Sequence, residues 1–177
     1  MNKLIHLSEL CGVPLRIAMK NKMEHNQKKY PPKLCRDSTR MEKYTEYIKV
    51  TGITKEENAK VPVVLKHELY EPASKMPTFD MEEVQKEVTI FAQDRWYDEQ
   101  YNKTMVISCT IVELGEFNQI IQMEPPNTKI EDLKYETRNK LAAELADVFI
   151  FMIHFRRLHV VNMVINHLEN EDFDAEF

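Results

Sequence analysis

The chain has 177 residues, of which 43% are apolar and 30% are charged, so it can bury a sizeable core and keep a soluble surface. No apolar run approaches the roughly 18–20 residues that a membrane helix needs, and three cysteines are too few and too scattered for a disulfide framework or a zinc site. The presence of only three glycines excludes a Gly-rich nucleotide-binding loop. The net charge of −5 is unevenly distributed, because residues 1–60 carry 13 basic and 7 acidic side chains.

Residues 1–12 and the three cysteines indicate the cellular compartment of the protein. Residues 1–12 lack the apolar stretch and the small-residue cleavage site of a secretory signal. Together with three isolated thiols, this predicts a cytoplasmic protein with reduced cysteines, with a nuclear or mitochondrial location left open. The excess of basic over acidic residues in the N-terminal part fits either an anionic binding partner or a chain made of two pieces of different origin. Basic and acidic residues alternate there without a sharp stripe, so we expect no nucleic-acid partner, and we expect no membrane partner.

Two helices are predicted near the N-terminus. Apolar residues at helical spacing indicate a short amphipathic helix over 3–10 and a second helix from about Pro14 to Lys29, which Pro31-Pro32 terminate. Residues 33–77 contain prolines and no sustained periodicity, so a long irregular segment is predicted. Within it, only Val61–Leu65 has a pattern compatible with a strand.

Three longer helices are predicted in the rest of the chain. The first begins near Asp80, whose spacing to a glutamate three residues later indicates an N-cap, and continues to about Tyr97. The others span about Thr104 to Met123 and about Tyr135 to His167, and the acidic residues 169–177 are predicted to fray. The pattern predicts an all-α chain, most simply a helical bundle.

Two pairs of acidic residues carry the functional signal. Glu113 and Glu116 are three residues apart on one predicted helix, and Glu144 and Asp147 repeat this spacing on the next. Residues three apart share a helix face, and both pairs lie within strongly apolar runs. Such pairs would repel inside a bundle unless protonated or neutralised by a divalent cation, and an all-oxygen donor set suits Mg²⁺ or Mn²⁺. The alternative is a solvated face, as for most helical glutamate pairs.

A di-iron bundle is a rival interpretation of these acids. It requires a Glu-x-x-His pair on each of two helices. Here the residues three positions after Glu113 and Glu144 are Glu116 and Asp147, and His154 lies two turns further on. The pattern therefore favours Mg²⁺ or Mn²⁺ over iron.

The two acidic motifs together resemble those of the MazG-type, all-α nucleoside triphosphate pyrophosphohydrolases. The matching segments read Val-Glu-Leu-Gly-Glu over 112–116 and Leu-Ala-Ala-Glu-Leu-Ala-Asp-Val-Phe-Ile over 141–150. Upstream, Phe-Ala-Gln-Asp-Arg-Trp-Tyr over 91–97 is similar to the segment before the first acidic pair in the dCTP pyrophosphatase branch. The resemblance implies a MazG-like four-helix bundle, here with a long irregular linker.

The N-terminal part resembles the opposite end of the same branch. Lys-Met-Glu-His-Asn-Gln-Lys-Lys-Tyr-Pro over 22–31 is similar to the closing helix of a dCTP pyrophosphatase, so the front and back of the enzyme stand in reversed order. The resemblance divides the chain into residues 1–50, similar to the C-terminal part of such an enzyme; 51–76, a linker; 77–168, the MazG-like helical domain; and 169–177, an acidic tail.

A weak internal repeat supports the reversed order. Its positions, 148 residues apart, are Ile5, His6, Leu10, Val13, Leu15 and Ile17 and then Ile153, His154, Leu158, Val161, Met163 and Ile165. The second copy lacks the Lys22/Asn26 motif, and the first lacks the acidic pairs. Three interpretations follow: a piece of a tandem enzyme, a rotated enzyme whose N-terminal helix docks on the C-terminal half, or a site completed only between chains.

The resemblance implies Mg²⁺-dependent hydrolysis of a dNTP, dCTP or a related pyrimidine nucleotide, to dNMP and pyrophosphate, with a homo-oligomer as the working form. Glu113, Glu116, Glu144 and Asp147 would bind the metal, and Glu116 would be the catalytic residue that activates water. The implied substrate-binding residues are Lys22, Asn26, Lys29, Tyr30, Trp96 and Tyr97. The alternative is a catalytically inactive helical fragment, or an oligomerisation or interaction module of the same family.

Overall fold

The computed structural model describes residues 2–32, 35, 80–129 and 132–174, and the regular structure in these ranges is helical, without a strand. The helices are α1 (Asn2–Leu10), α2 (Leu15–Lys29), α3 (Met81–Asp94), α4 (Tyr97–Gln100), α5 (Lys103–Gln122) and α6 (Tyr135–Asp174). The predicted all-α class is thus confirmed for this part of the chain, in which no helix has the length and apolar character to cross a membrane. The predicted segment 33–77 and the candidate strand at 61–65 lie outside the described residues, apart from Cys35.

Two helix limits differ from the predicted ones. Helix α3 ends at Asp94 rather than near Tyr97, because Trp96 has a left-handed backbone, with φ of 54°, through which a right-handed helix cannot continue. Helix α4 then begins as a separate single turn. Helix α6 continues to Asp174, past the predicted end near His167.

Local chemistry explains where the first three helices begin and end. Asp80 caps α3, since its Oδ1 accepts hydrogen bonds from the backbone amides of Glu82 and Glu83 at 2.9 and 3.1 Å. Gly12 follows α1 with φ of 61°, a conformation that glycine adopts without steric cost. Pro14 stands directly before α2, where its missing amide hydrogen removes no helical bond.

Helix α6 lies at the centre of the core and packs against α2, α3 and α5. The side chains of Leu141, Leu145, Phe149 and Ile153 are at most 1% exposed. Ala142 and several other alanines between them are completely buried and allow the neighbouring helices to approach closely. The acidic residues of α6 are therefore carried by the most enclosed helix of the structure.

The helices around α6 bury different amounts of apolar surface. Helices α2 and α3 each pack a stripe of residues into the core; its main apolar members are Leu15, Ala18, Met19, Met23, Val84, Val88 and Phe91. Helix α5, by contrast, buries only Val106 and Phe117. It covers α6 with a narrow stripe and leaves most of its other apolar side chains exposed.

An ion pair joins α2 to α3. Arg16 Nη1 and Nη2 donate hydrogen bonds to Glu87 Oε2 and Oε1, both at 2.9 Å, and Nη2 lies 3.2 Å from Glu83 Oε1. This bidentate arrangement is the strongest geometry for a guanidinium and a carboxylate, and the Arg16 side chain is only 14% exposed. The pair connects two helices that are far apart in sequence.

We expect Arg16→Met to lower the free energy of unfolding by about 1–3 kcal/mol, because Glu83 and Glu87 lose their shared partner while the apolar stem is kept. Urea unfolding followed by circular dichroism measures the difference. Lys20→Met, at an exposed position of the same helix, is the control and should change the stability by less than about 0.5 kcal/mol. Equal effects of the two substitutions would show that this ion pair does not stabilise the packing of α2 on α3.

Candidate functional site

Helices α5 and α6 bring three of the four predicted acidic residues together. Carboxylate oxygens of Glu113, Glu144 and Asp147 all lie within 4.8 Å of one another, and all three residues are partly buried. Glu116 lies outside this acidic triad, on the exposed side of α5, but it is close enough to raise the pKa values of Glu113 and Glu144. The spacing of three residues on each helix places the members of each pair on neighbouring positions.

Burial and mutual repulsion oppose full ionisation of the acidic triad. The pKa of Glu113 rises to about 8, first because of burial and then because Asp147, Glu144 and Glu116 are close. Burial also raises the pKa of Glu144, to which the Glu113 carboxyl group donates a hydrogen bond. Glu113 is therefore mostly protonated at neutral pH, and the triad carries less negative charge than its composition implies.

Helix α2 supplies positive charge to the same place. Lys22 Nζ lies 2.5 Å from Asp147 Oδ2, and the two side chains are 11% and 14% exposed. The Asn26 side chain, one turn along α2, donates a hydrogen bond to Asp147, and Lys29 is near enough to lower the pKa of that carboxyl group. Burial outweighs these contacts, so the pKa of Asp147 is still raised.

These contacts join the two halves of the sequence within one chain. Lys22 and Asn26 belong to the segment that resembles the closing helix of the enzyme, and Asp147 belongs to the second acidic motif. Helix α2 packs against α6 within the described part of the chain. The residues meet without a contribution from another chain.

The two aromatic residues predicted to contact a base have different environments. The ring of Tyr97 packs against those of Phe91, Tyr101 and His154, with centroids 5.9, 5.0 and 6.5 Å away, and burial raises its pKa. Trp96 is 48% exposed, and its left-handed backbone costs a bulky residue on the order of 1–3 kcal/mol. Tyr97 is thus partly buried against the core, whereas the Trp96 indole is presented at the surface.

Arg95, which is absent from the predicted set, anchors the end of α2. It is 3% exposed, its Nε donates a hydrogen bond to the Tyr30 carbonyl oxygen at 2.7 Å, and its Nη1 donates one to the Phe91 carbonyl oxygen at 3.0 Å. Lys29 Nζ in turn lies 5.3 Å from the centroid of the Tyr30 ring. Arg95 thus holds Lys29 and Tyr30 beside α3. No sequence pattern marks this role, because an arginine after a helix is ordinarily a solvated charge.

His154 belongs to a separate polar contact. It is 4% exposed, its Nδ1 lies 3.2 Å from Arg157 Nη2, and burial lowers its pKa to about 4, so the ring is neutral at pH 7. Its Nε2 has no hydrogen-bond partner within the described ranges. The acidic triad contains no histidine.

A cavity of about 390 Å³ lies elsewhere, between Cys11, Leu133, Leu141 and residues that follow or end α5. None of the predicted site residues lines it. A substrate that contacts the acidic triad would therefore bind at a different place, where α2, α5 and α6 meet.

No protein-family profile, curated protein or solved structure matches this chain. A function is therefore inferred from the geometry of the site and from the residues of its motifs.

We expect Lys22→Met to destabilise the fold by about 3 kcal/mol at pH 7, because Asp147 stays buried and loses its counter-charge. Urea unfolding in EDTA measures the loss, and Lys28→Met, at an exposed position of the same helix, is the matched control. If both substitutions have the same small effect, the Lys22–Asp147 pair does not contribute to stability.

In the absence of divalent cations, the melting temperature should fall as the pH rises from about 6.5 to about 8, above the range in which buried, neutral His154 gives the opposite slope. Glu113 has a pKa of about 8 in the folded chain against an ordinary value of 4.5, so the folded state binds the extra proton and loses relative stability as that proton leaves. Thermal unfolding in EDTA across this range measures the slope. Glu113→Gln should flatten the curve, and Glu24→Gln, on the exposed side of α2, should not. An unchanged slope in Glu113→Gln would refute this origin.

Proposed function

We propose that this chain is a Mg²⁺-dependent nucleoside triphosphate pyrophosphohydrolase of the MazG type that converts a dNTP to dNMP and pyrophosphate. The observation that carries the proposal is the contact of the acidic triad with Lys22 and Asn26. Groups that suit a cation and groups that suit a phosphate anion meet there, as hydrolysis of a metal-bound triphosphate requires. A four-helix bundle of the MazG type, a homo-oligomer and a cytoplasmic location belong to the same proposal.

The donor set of the acidic triad fits Mg²⁺ or Mn²⁺. Its three side chains offer only oxygen atoms, which hard divalent cations prefer, and the described residues add no nitrogen or sulfur to the group. Burial, and then repulsion from neighbouring carboxylates, raises the pKa values of Glu113 and Glu144, so a bound cation would favour their ionised forms. A bound cation would neutralise the triphosphate and stabilise the charge that develops on the α-phosphoryl group.

The basic side of α2 is the proposed binding surface for the phosphates and the sugar. Lys22 and Asn26 already lie at the acidic triad, and Lys29 and Tyr30 are held next to them by Arg95. The pKa of His25 reflects the positive charge of this region: burial lowers it, and Lys22, Lys29 and Lys28 lower it further. An anionic ligand would be attracted to this surface.

Glu116 is the proposed general base. It is exposed, lies close to Glu113 and Glu144, and is outside the triad, which leaves its carboxylate able to orient a water molecule rather than bind the metal. Trp96 is the proposed stacking surface for a pyrimidine base, since its indole is half-exposed. Tyr97 would support it from the core. The preference for dCTP or a related pyrimidine nucleotide rests on the motif resemblance.

A catalytically inactive helical fragment or interaction module is the alternative. The exposed apolar surface of α5 is compatible with this alternative, because an interaction module needs such a surface. A protein of this kind would keep the Lys22–Asp147 pair as a structural contact. It would release no pyrophosphate from any dNTP.

We expect the full-length protein to release pyrophosphate from dCTP in the presence of Mg²⁺ or Mn²⁺ and not in EDTA. Glu144→Gln and Glu116→Gln should each lower kcat by roughly a hundredfold or more, the first through loss of a metal ligand and the second through loss of the base. A coupled pyrophosphate assay with each of the four dNTPs measures the rates and identifies the preferred base.

Mn²⁺ binding, followed by electron paramagnetic resonance, separates the two roles. Glu144→Gln should weaken binding, Glu116→Gln should leave it nearly unchanged, and Glu136→Gln, at an exposed position of α6, should affect neither measurement. Absence of pyrophosphate release by the folded protein with all four dNTPs would reject the proposed activity in favour of the interaction module.

A further inference from the structure

The cavity of about 390 Å³ lies between the turn after α1, the end of α5 and the beginning of α6. Its volume is within the range of pockets that hold small organic molecules. None of the described residues that line it belongs to the acidic triad or to the basic side of α2. The cavity is therefore a candidate binding site that the proposed hydrolysis does not use.

The inner wall of the cavity is apolar and uncharged. Leu133 and Leu141 line it and are buried, and so is Cys11 beside them. Burial raises the pKa of the Cys11 thiol, so this group is neutral at pH 7. The inner wall therefore suits the apolar body of a ligand, such as an aliphatic chain or an aromatic ring.

The outer wall of the cavity, formed within residues 121–128, offers mainly hydrogen-bond acceptors. Pro125 and Pro126 have no amide hydrogen to donate. The amide and the hydroxyl group of Thr128 both donate to the Pro125 carbonyl oxygen, at 3.1 and 2.7 Å, so these two hydrogens are already used. Towards a ligand, the Thr128 hydroxyl oxygen can still act as an acceptor.

The outer wall also carries negative charge. Within the described ranges, Glu124 is the one charged residue that lines the cavity, and its Oε1 accepts a hydrogen bond from Thr137 Oγ1 at 2.9 Å. A carboxylate has capacity for further donors. The cavity lies at the C-terminal end of α5, where the helix dipole is negative and none of the described residues of the last turn is basic. The positive end of α6, by contrast, has Glu136 in its first turn.

We propose that this cavity binds a small organic amine, with its apolar body against Leu133 and Leu141 and its ammonium group at Glu124. An ammonium group has three donors, no acceptor and a positive charge, so it complements a wall of acceptors that includes a carboxylate. A carboxylate or phosphate ligand of the same size would be repelled by Glu124. The site is separate from the acidic triad, so amine binding and the proposed hydrolysis can fail separately.

An NMR titration of the methyl-labelled, full-length protein tests the site, with tryptamine as the cationic probe and indole-3-propionate as its anionic counterpart. Both probes contain an indole ring, and they differ mainly in the charge of the end group. Tryptamine should shift the methyl signals of Leu133 and Leu141 and should bind roughly tenfold more tightly than the anion. Glu124→Gln should remove most of this preference, because it keeps the shape of the side chain and removes its charge.

Two lysine substitutions on α5 separate a local effect from a general effect of charge. Gln122→Lys places a positive charge at the outer wall and should weaken tryptamine binding by roughly tenfold. Gln119→Lys makes the same change at an exposed position of α5 away from the lining residues, and it should leave the affinity nearly unchanged. Leucine methyl signals that do not shift with tryptamine, or equal affinities for the two probes, would overturn the proposal. Equal effects of the two lysine substitutions would also overturn it.

Discussion

The structure depends on how negative charge is buried between α5 and α6. A carboxylate removed from water is strongly disfavoured unless it gains a counter-charge and hydrogen bonds. Asp147 obtains both from α2, through Lys22 and Asn26. The apolar residues of α2 pack into the core beside α6, and the ion pair joins the two helices at Asp147. The same contact therefore joins α2 to α6 and supplies positive charge to the acidic triad.

The protonation state of the acidic triad depends on Lys22 and on whether a cation is bound. Glu113 keeps a proton because burial disfavours its charged form and its acidic neighbours repel a further negative charge, and Lys22 partly offsets these effects. A divalent cation would displace the proton and compete with the lysine for Asp147, so occupation of the triad would alter the contact between α2 and α6. Residues that bind a ligand commonly carry such unfavourable interactions, which the surrounding core must support. Here the tightly packed, alanine-rich centre of α6 provides that support.

Local sequence signals predict most of the helices, and the acidic motifs predict the residues of the candidate site. Neither signal determines which side of a helix is buried. The cap at Asp80 and the glycine and prolines around α1 and α2 act through neighbouring residues, so they are readable from the sequence. On α5, the apolar run around Glu113 predicts burial, whereas most of that run is exposed. The contact between Lys22 and Asp147 spans most of the chain, and only the resemblance of two separate motifs indicated it. The left-handed backbone of Trp96 has no local signal.

The distance in sequence between Lys22 and Asp147 also has a consequence for synthesis. The chain is made from its N-terminus, so α2 exists before the helix on which it packs. At roughly 5–20 residues per second, the ribosome needs on the order of ten seconds to proceed from one residue to the other. During that time the apolar side of α2, with Leu15, Met19 and Met23, has no α6 to cover it. The nascent chain thus exposes the apolar side of α2 until α6 emerges. This makes α2 the expected point of chaperone contact.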